Sequence, residues 1–440
     1  MKNPEEDKMR TDETKKLIAF LEKSPDCFSA AANIAKTLEN NGFTRLYESE
    51  KWDIQPGGKY FVMRNMSSIT AFKIPVSVPS CIIAAAAHSD SPSFKIKPSP
   101  EMESEGYVRL NTEGYGGMID SSWLDRPLSV SGRISVKTEN GIETKTVNIG
   151  RDLVLIPNLC IHMNRNINKG YEYNHQRDLI PLFGSEKGFT RIIAENAGVD
   201  EDKICGHDLF LYNRTPGTIW GGNNEYFSCG RIDDLQCAYA LCEGFLRAGM
   251  TDALQLIAVF DNEETGSSTR QGAKSDFLRG TLERIFSIFP KDSYRRAIAN
   301  GFMVSADNGH AVHPNHSDKS DPTNRVYMNK GIVIKYNAEG SYTTDGISEA
   351  IMKLICEKAD VPYQTFTNRS DMRGGSTLGN LSGNQVSINT VDIGLAQLAM
   401  HSAYETAGTM DTEYLIRAMT ELFNTVIEIK EDKLINFRRG

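Results

Sequence analysis

Four apolar runs in the chain each lead to residues that bind divalent cations. Cys81 to Ala87 runs into His88-Ser89-Asp90, and Leu254 to Phe260 runs into Asp261-Asn262-Glu263-Glu264. Gly301 to Ala306 reaches Asp307, and Val386 to Ile393 is followed by an apolar stretch and His401. Carboxylate with imidazole and no thiolate is the donor set of catalytic zinc, or of cobalt or manganese, rather than of a structural cysteine site. Adjacent carboxylates at the end of an apolar strand are costly unless a cation neutralises them. Taken alone, His88-Ser89-Asp90 reads as a loop hydrogen bond and Glu263-Glu264 as solvated surface. Asp233, opening the helical pattern 233–246, reads alone as a helix-capping acid favoured by the dipole. Together the pieces point to a metal site, and Asp233 joins it.

Other chemistries find little support. His310, His313 and His316 recur every third residue, which on a helix would gather three imidazoles on one face. Pro314 disfavours a helix there, and Gly309 and Asn315 favour a turn, so Asp307 is the stronger ligand. No Walker-type loop is present, and Gly374-Gly375-Ser376-Thr377-Leu378-Gly379 lacks dinucleotide-binding spacing; a close backbone approach beside the site suits it better. No Gly-x-Ser-x-Gly elbow is present either.

These residues need strands that end together. In an open α/β sheet ligands bind outside the carboxyl ends of the strands, which is where the four runs deliver their polar residues. Residues 13–40 predict two helices broken near Pro25, and 233–246 and Glu283–Ile288 predict further helical segments. Between 100 and 230 the texture changes to alternating stretches with frequent turns, such as Leu128 to Val136. The simplest architecture is an α/β class, three-layer α/β/α catalytic domain over 1–95 and 231–440, interrupted by a β-rich domain over 96–230.

Composition removes whole classes. The 440 residues carry 49 Lys plus Arg and 57 Asp plus Glu, a formal charge of −8. This balance is wrong for non-specific nucleic-acid binding, which needs clustered cations. No apolar run approaches the roughly 20 residues of a membrane span, and the first residues lack a secretory apolar core. The 8 cysteines show no Cys-x-x-Cys pair. A reduced, cytoplasmic protein with no nucleic-acid or membrane partner is expected.

The blocks Ala87 to Pro92, Arg231 to Asp234, Asp261 to Ser267, Ser305 to Asp307 with His310 to Asn315, and Gln397 to Ser402 resemble, in order, the aspartyl aminopeptidase/aminopeptidase I family of zinc metallopeptidases. Ile161-His162-Met163-Asn164-Arg165-Asn166 resembles the family's lid-domain motif. The resemblance implies that Asp233 bridges two zinc ions per subunit. His88 and Asp307 would complete one ion, and Glu264 and His401 the other. Asp90 would orient His88, and Glu263 would be the general base. His162 would reach a neighbouring subunit's active site in a tetrahedral homododecamer. Lys335 stands at a position resembling one near the bound acidic side chain, with Arg373 an alternative carboxylate partner. The family commonly has Asn where this chain has Asp234. The implied activity is removal of an N-terminal residue from peptides, acidic or else neutral. A related co-catalytic zinc carboxypeptidase or deacylase, and a non-catalytic shell-forming scaffold, are the alternatives. In the former a lid would enter after the Glu-Glu block, whereas the β-rich stretch here precedes Asp233.

Overall fold

The computed structural model describes residues 4–372, 374–375, 377, 379, 383, 385–431 and 433–439, with side chains from residue 12 onward. Among these the main sheet has nine strands, in the order Thr44–Leu46, Lys59–Arg64, Ser68–Lys73, Leu254–Phe260, Ile82–His88, Phe302–Ala306, Asn389–Gly394, Ile332–Tyr336 and Tyr363–Thr367. The four middle strands from Leu254–Phe260 to Asn389–Gly394 run parallel, pairing Phe260 with His88, Ser305 with Ala86 and Ala306 with Ile393. Their carboxyl ends therefore share one edge, as the spacing predicted.

Alternation along the strands divides the core in two. Ile83, Ala85, Ala87, Ile257, Val259 and Val304 pack with helices Cys27–Asn40, Ile232–Arg247 and Asp411–Phe423 on one face. Ile82, Ala84, Ala86, Leu256, Ala258 and Met303 pack on the other with Phe277, Leu282 and Ile285 of helix Phe277–Phe286. Burial on both faces explains why these strands read as continuous apolar runs rather than alternating ones. The result is the α/β architecture with helices on both faces of the sheet. Helix Pro4–Lys23 ends before Pro25, and Asp26 caps the next helix by accepting from the N–H groups of Phe28 and Ser29.

The chain from Ser93 to Asn213 builds a second, antiparallel sheet of six strands: Gly141–Asn148, Leu128–Thr138, Ile204–Asn213, Ser93–Ser104, Tyr107–Tyr115 and Leu182–Gly184. It has its own apolar cluster around Phe94, Leu110, Trp123, Val130, Phe189 and Leu211. All eight cysteines are free thiols, six of them buried. No helix among the described residues is long and apolar enough to cross a membrane.

Candidate active site

Five elements meet at the shared sheet edge. His88 is the last residue of its strand, and Asp307 directly follows the strand Phe302–Ala306. Asp307 is crowded against the neighbouring strand end: a Cβ on Gly394 would lie 1.9 Å from its carbonyl oxygen, so only glycine fits there. Glu263 and Glu264 lie in a single 3₁₀ turn beyond Phe260, entered through Asn262 in the left-handed region at φ 63°. His401 also has a left-handed backbone, φ 65°, in the turn after the short strand Ala396–Leu398. Asp233 and Asp234 stand at the start of helix Ile232–Arg247 with non-helical dihedrals, joined by a cis peptide bond. With φ −82° and ψ 111°, Asp233 leaves the helical path, and its side chain faces His88 and His401 rather than capping the helix.

Side chains converge on Asp233. Its Oδ1 is 3.7 Å from Nε2 of His88, and its Oδ2 is 3.3 Å from Nε2 of His401. Glu264 Oε2 is 3.4 Å from the same nitrogen of His401. Two groups of metal-ligand type result, His88–Asp233–Asp307 and Asp233–Glu264–His401, sharing Asp233; His88–Glu263–Glu264 forms a third grouping on one side. Each imidazole uses Nδ1 as a donor to a main-chain carbonyl: His88 to Asp90 at 3.0 Å, His401 to Gly117 at 2.6 Å. With Nδ1 so committed, Nε2 of each ring faces the Asp233 carboxylate and is the nitrogen left to bind a metal once its proton is given up.

Electrostatics make the cluster unstable as a set of bare charges. Burial pushes Asp307 up to about 6, Glu263 to about 7 and Glu264 well above the usual carboxylate range. Burial also opposes ionisation of Asp233, but the His401 hydrogen bond and the His88 charge hold its pKa low. Burial works against protonation of His88 as well, yet Asp90 and Asp234 raise its pKa well above the usual imidazole value. Asp233 Oδ1 and Glu264 Oε1 are buried and have no hydrogen-bond partner among the described residues. Buried carboxylate oxygens beside imidazole Nε2 atoms are what divalent cations satisfy, and the donor set fits zinc.

The other predicted residues fall as follows. Asp90 touches His88 mainly through its carbonyl; its carboxylate accepts from the N–H of Glu263 and Glu264, at 3.1 and 3.2 Å, and from the Tyr115 hydroxyl at 2.7 Å. It therefore positions the Glu-Glu turn as well as the imidazole. Asp234 is fully buried, and its Oδ2 accepts from the His88 N–H at 3.2 Å. Lys335 is buried and lines the cleft, donating to the Asn308 carbonyl at 2.8 Å and standing 3.8 Å from Asp307. Its amine is not in bulk water. His162 lies in an exposed turn beside the exposed Leu159, Ile161 and Met163, and it does not line this cleft. Arg373 lies outside the described residues. The His310, His313 and His316 segment is not helical: His310 ends a two-residue strand and faces the cleft, and the His313 and His316 rings pack 5.0 Å apart.

Four contributors escaped the sequence. Tyr115 and Gly117 belong to the six-stranded unit yet reach Asp90 and His401, and Gly116, at φ 73°, brings this turn against Glu264. Glu405 accepts from the main-chain N–H of both Asp233 and His401. Its only sequence signal is an acid four residues beyond His401.

Comparisons with known proteins converge on one family. The profile of the family described as "Aminopeptidase I zinc metalloprotease (M18)" matches residues 20–423. A protein named "Probable M18 family aminopeptidase 2" from Clostridium novyi is 46 % identical over 423 residues, covering 93 % of this chain and 98 % of that one. The cryo-EM structure of an Ape4 and Nbr1 complex superposes with a TM-score of 0.92 at 31 % identity, over 94 % of this chain and 86 % of that chain. The S. cerevisiae mApe1 dodecamer gives 0.84 at 26 % identity, over 94 % and 96 %.

Proposed function

The chain belongs to the aminopeptidase I zinc metalloprotease (M18) family and is a metallo-aminopeptidase, and from that premise we propose a two-zinc enzyme that removes an N-terminal acidic residue from peptides. The observation that carries the two-zinc reading is Asp233, whose separate oxygens face His88 and His401. His88, Asp233 and Asp307 would hold one ion, and Asp233, Glu264 and His401 the other, with cobalt or manganese as substitutes. Zinc bound there supplies Lewis acidity, lowering the pKa of water and polarising the scissile carbonyl.

The chain's own residues do the rest. Glu263 lines the cleft next to Glu264, and its turn is clamped from behind by Asp90. Clamping lets one acid of the pair turn to metal while the other takes a proton from water and returns it to the leaving amine. Lys335, in the cleft wall, is the cation for an acidic first side chain. Its ammonium has donors left after serving Asn308, and buried charge-assisted hydrogen bonds are strong. Arg373 is assigned the same class of contact from the resemblance alone. The net charge of −8 repels acidic peptides at a distance, so local cations must supply the preference.

The stretch 96–230 is taken as a lid and oligomerisation domain on a catalytic domain of 1–95 and 231–440, in a cytoplasmic homododecamer of tetrahedral symmetry. The exposed Leu159, Ile161 and Met163 flanking His162 suit burial against a second copy, and one solved relative is a dodecamer. His162 would then complete the partner's site. Chromogenic substrates with N-terminal Asp, Glu, Leu and Lys, assayed with zinc, cobalt and manganese after chelation, test the reading. Asp and Glu should be turned over fastest; faster turnover of Leu or Lys would refute the acidic preference.

A further inference from the structure

We propose that Glu405 is a positioning residue of the metal site, one carboxylate that sets the main chain of both Asp233 and His401. This rests on the two-zinc reading above. Glu405 begins the strand Glu405–Gly408 and is 2 % exposed. Its Oε2 accepts from the Asp233 N–H at 3.1 Å, and its Oε1 from the His401 N–H at 2.8 Å. Asp233 and His401 are remote in sequence, and neither has the backbone of a regular element. Their N–H groups therefore find no partner in a helix or strand ladder, and a buried N–H needs one. One side chain provides both.

The chemistry of that side chain is specific. Both of its oxygens accept, one from each of two converging main-chain donors. Glutamine would turn an NH₂ toward one of them, and aspartate is a methylene too short to span both. Through His401 the effect reaches the ring, already tied at Nδ1 to Gly117, so that main chain and imidazole are fixed at two points. Glu405 also heads a buried polar chain. Gln397 donates to its Oε1 at 3.4 Å, Asn308 donates to Gln397 at 3.0 Å, and Lys335 donates to the Asn308 carbonyl at 2.8 Å. Lys335 stands beside Asp307, so the chain links the His401 flank of the site to the Asp307 flank.

The test uses the full-length protein with Glu405→Gln, Glu405→Asp and Glu405→Ala, titrated with zinc in a metal buffer. Wild type should take two equivalents. In the Gln and Ala variants one equivalent should weaken about 10- to 100-fold, the range typical for groups that orient ligands, while the other changes far less. At limiting zinc, kcat on an N-terminal Asp substrate should fall with that loss while KM holds, and added zinc should restore part of it. The Asp variant should lie between. A purely structural role would lower the melting temperature of the zinc-free protein and leave zinc affinity per folded subunit unchanged; that result overturns the proposal. Should the Ala variant not fold, the near-isosteric Gln variant decides. A wild type that binds zinc but cleaves no peptide would refute the peptidase reading, and the affinity comparison would still judge Glu405.

Discussion

Oδ2 of Asp233 lies 3.3 Å from Nε2 of His401, a ring whose other nitrogen is already committed to Gly117. The distance also suits two ligands of one ion. Because Oδ1 faces His88, Asp233→Asn should weaken both equivalents of zinc by at least about 100-fold, measured by chelator competition. Loss of only one equivalent would show that Asp233 is not shared.

Glu263 should be separable from its neighbour. Glu263→Gln should lower kcat by about 10²- to 10⁴-fold with zinc content unchanged, whereas Glu264→Gln should lose metal. Elemental analysis alongside kinetics distinguishes the two. Near-normal kcat in Glu263→Gln would remove the general-base role.

Lys335→Met should lower kcat/KM for N-terminal Asp by about 10- to 100-fold, and for N-terminal Leu much less, because only the acidic side chain loses a charged partner. An equal loss on both substrates would mean that Lys335 serves Asp307 alone.

Zinc uptake should release protons. Without metal, His88 and His401 have pKa values above the ordinary imidazole value, burial being outweighed by the surrounding carboxylates. Near neutral pH they hold protons that zinc must displace, so affinity should rise as pH rises through and above the usual imidazole range. Calorimetry in buffers of different ionisation enthalpy counts the protons. Uptake instead of release would contradict the assignment of the imidazoles as ligands.

His162→Ala should abolish turnover while leaving zinc content intact. Mixing His162→Ala with Glu263→Gln subunits should regain activity, because a mixed assembly pairs an intact His162 with an intact Glu263 across an interface. An assembly of twelve copies of 48.9 kDa should scatter light as a particle of about 590 kDa. No complementation would place His162 outside the partner's site.

The ligand-type residues were legible because the physics that hides a strand also exposes its end. An apolar run such as Leu254–Phe260 is buried on both faces, so charge right after it stands out. The break at Pro25 and the non-helical His310–His316 segment were legible from proline chemistry. Asp233 alone looked like a helix cap, and only the fold shows it turned out of the helix. Tyr115, Gly117 and Glu405 were hidden for a different reason. Glu405 accepts from main-chain N–H groups, Gly117 offers its own carbonyl to the His401 ring, and Tyr115 donates to Asp90, and such contacts need no recognisable motif in sequence.

The most direct test of the shared carboxylate is anomalous diffraction at the zinc edge from crystals of the zinc-loaded protein. Two peaks per subunit are expected, both contacting Asp233, one with His88 and Asp307 and one with Glu264 and His401. A single peak, or two peaks of which only one touches Asp233, would contradict it.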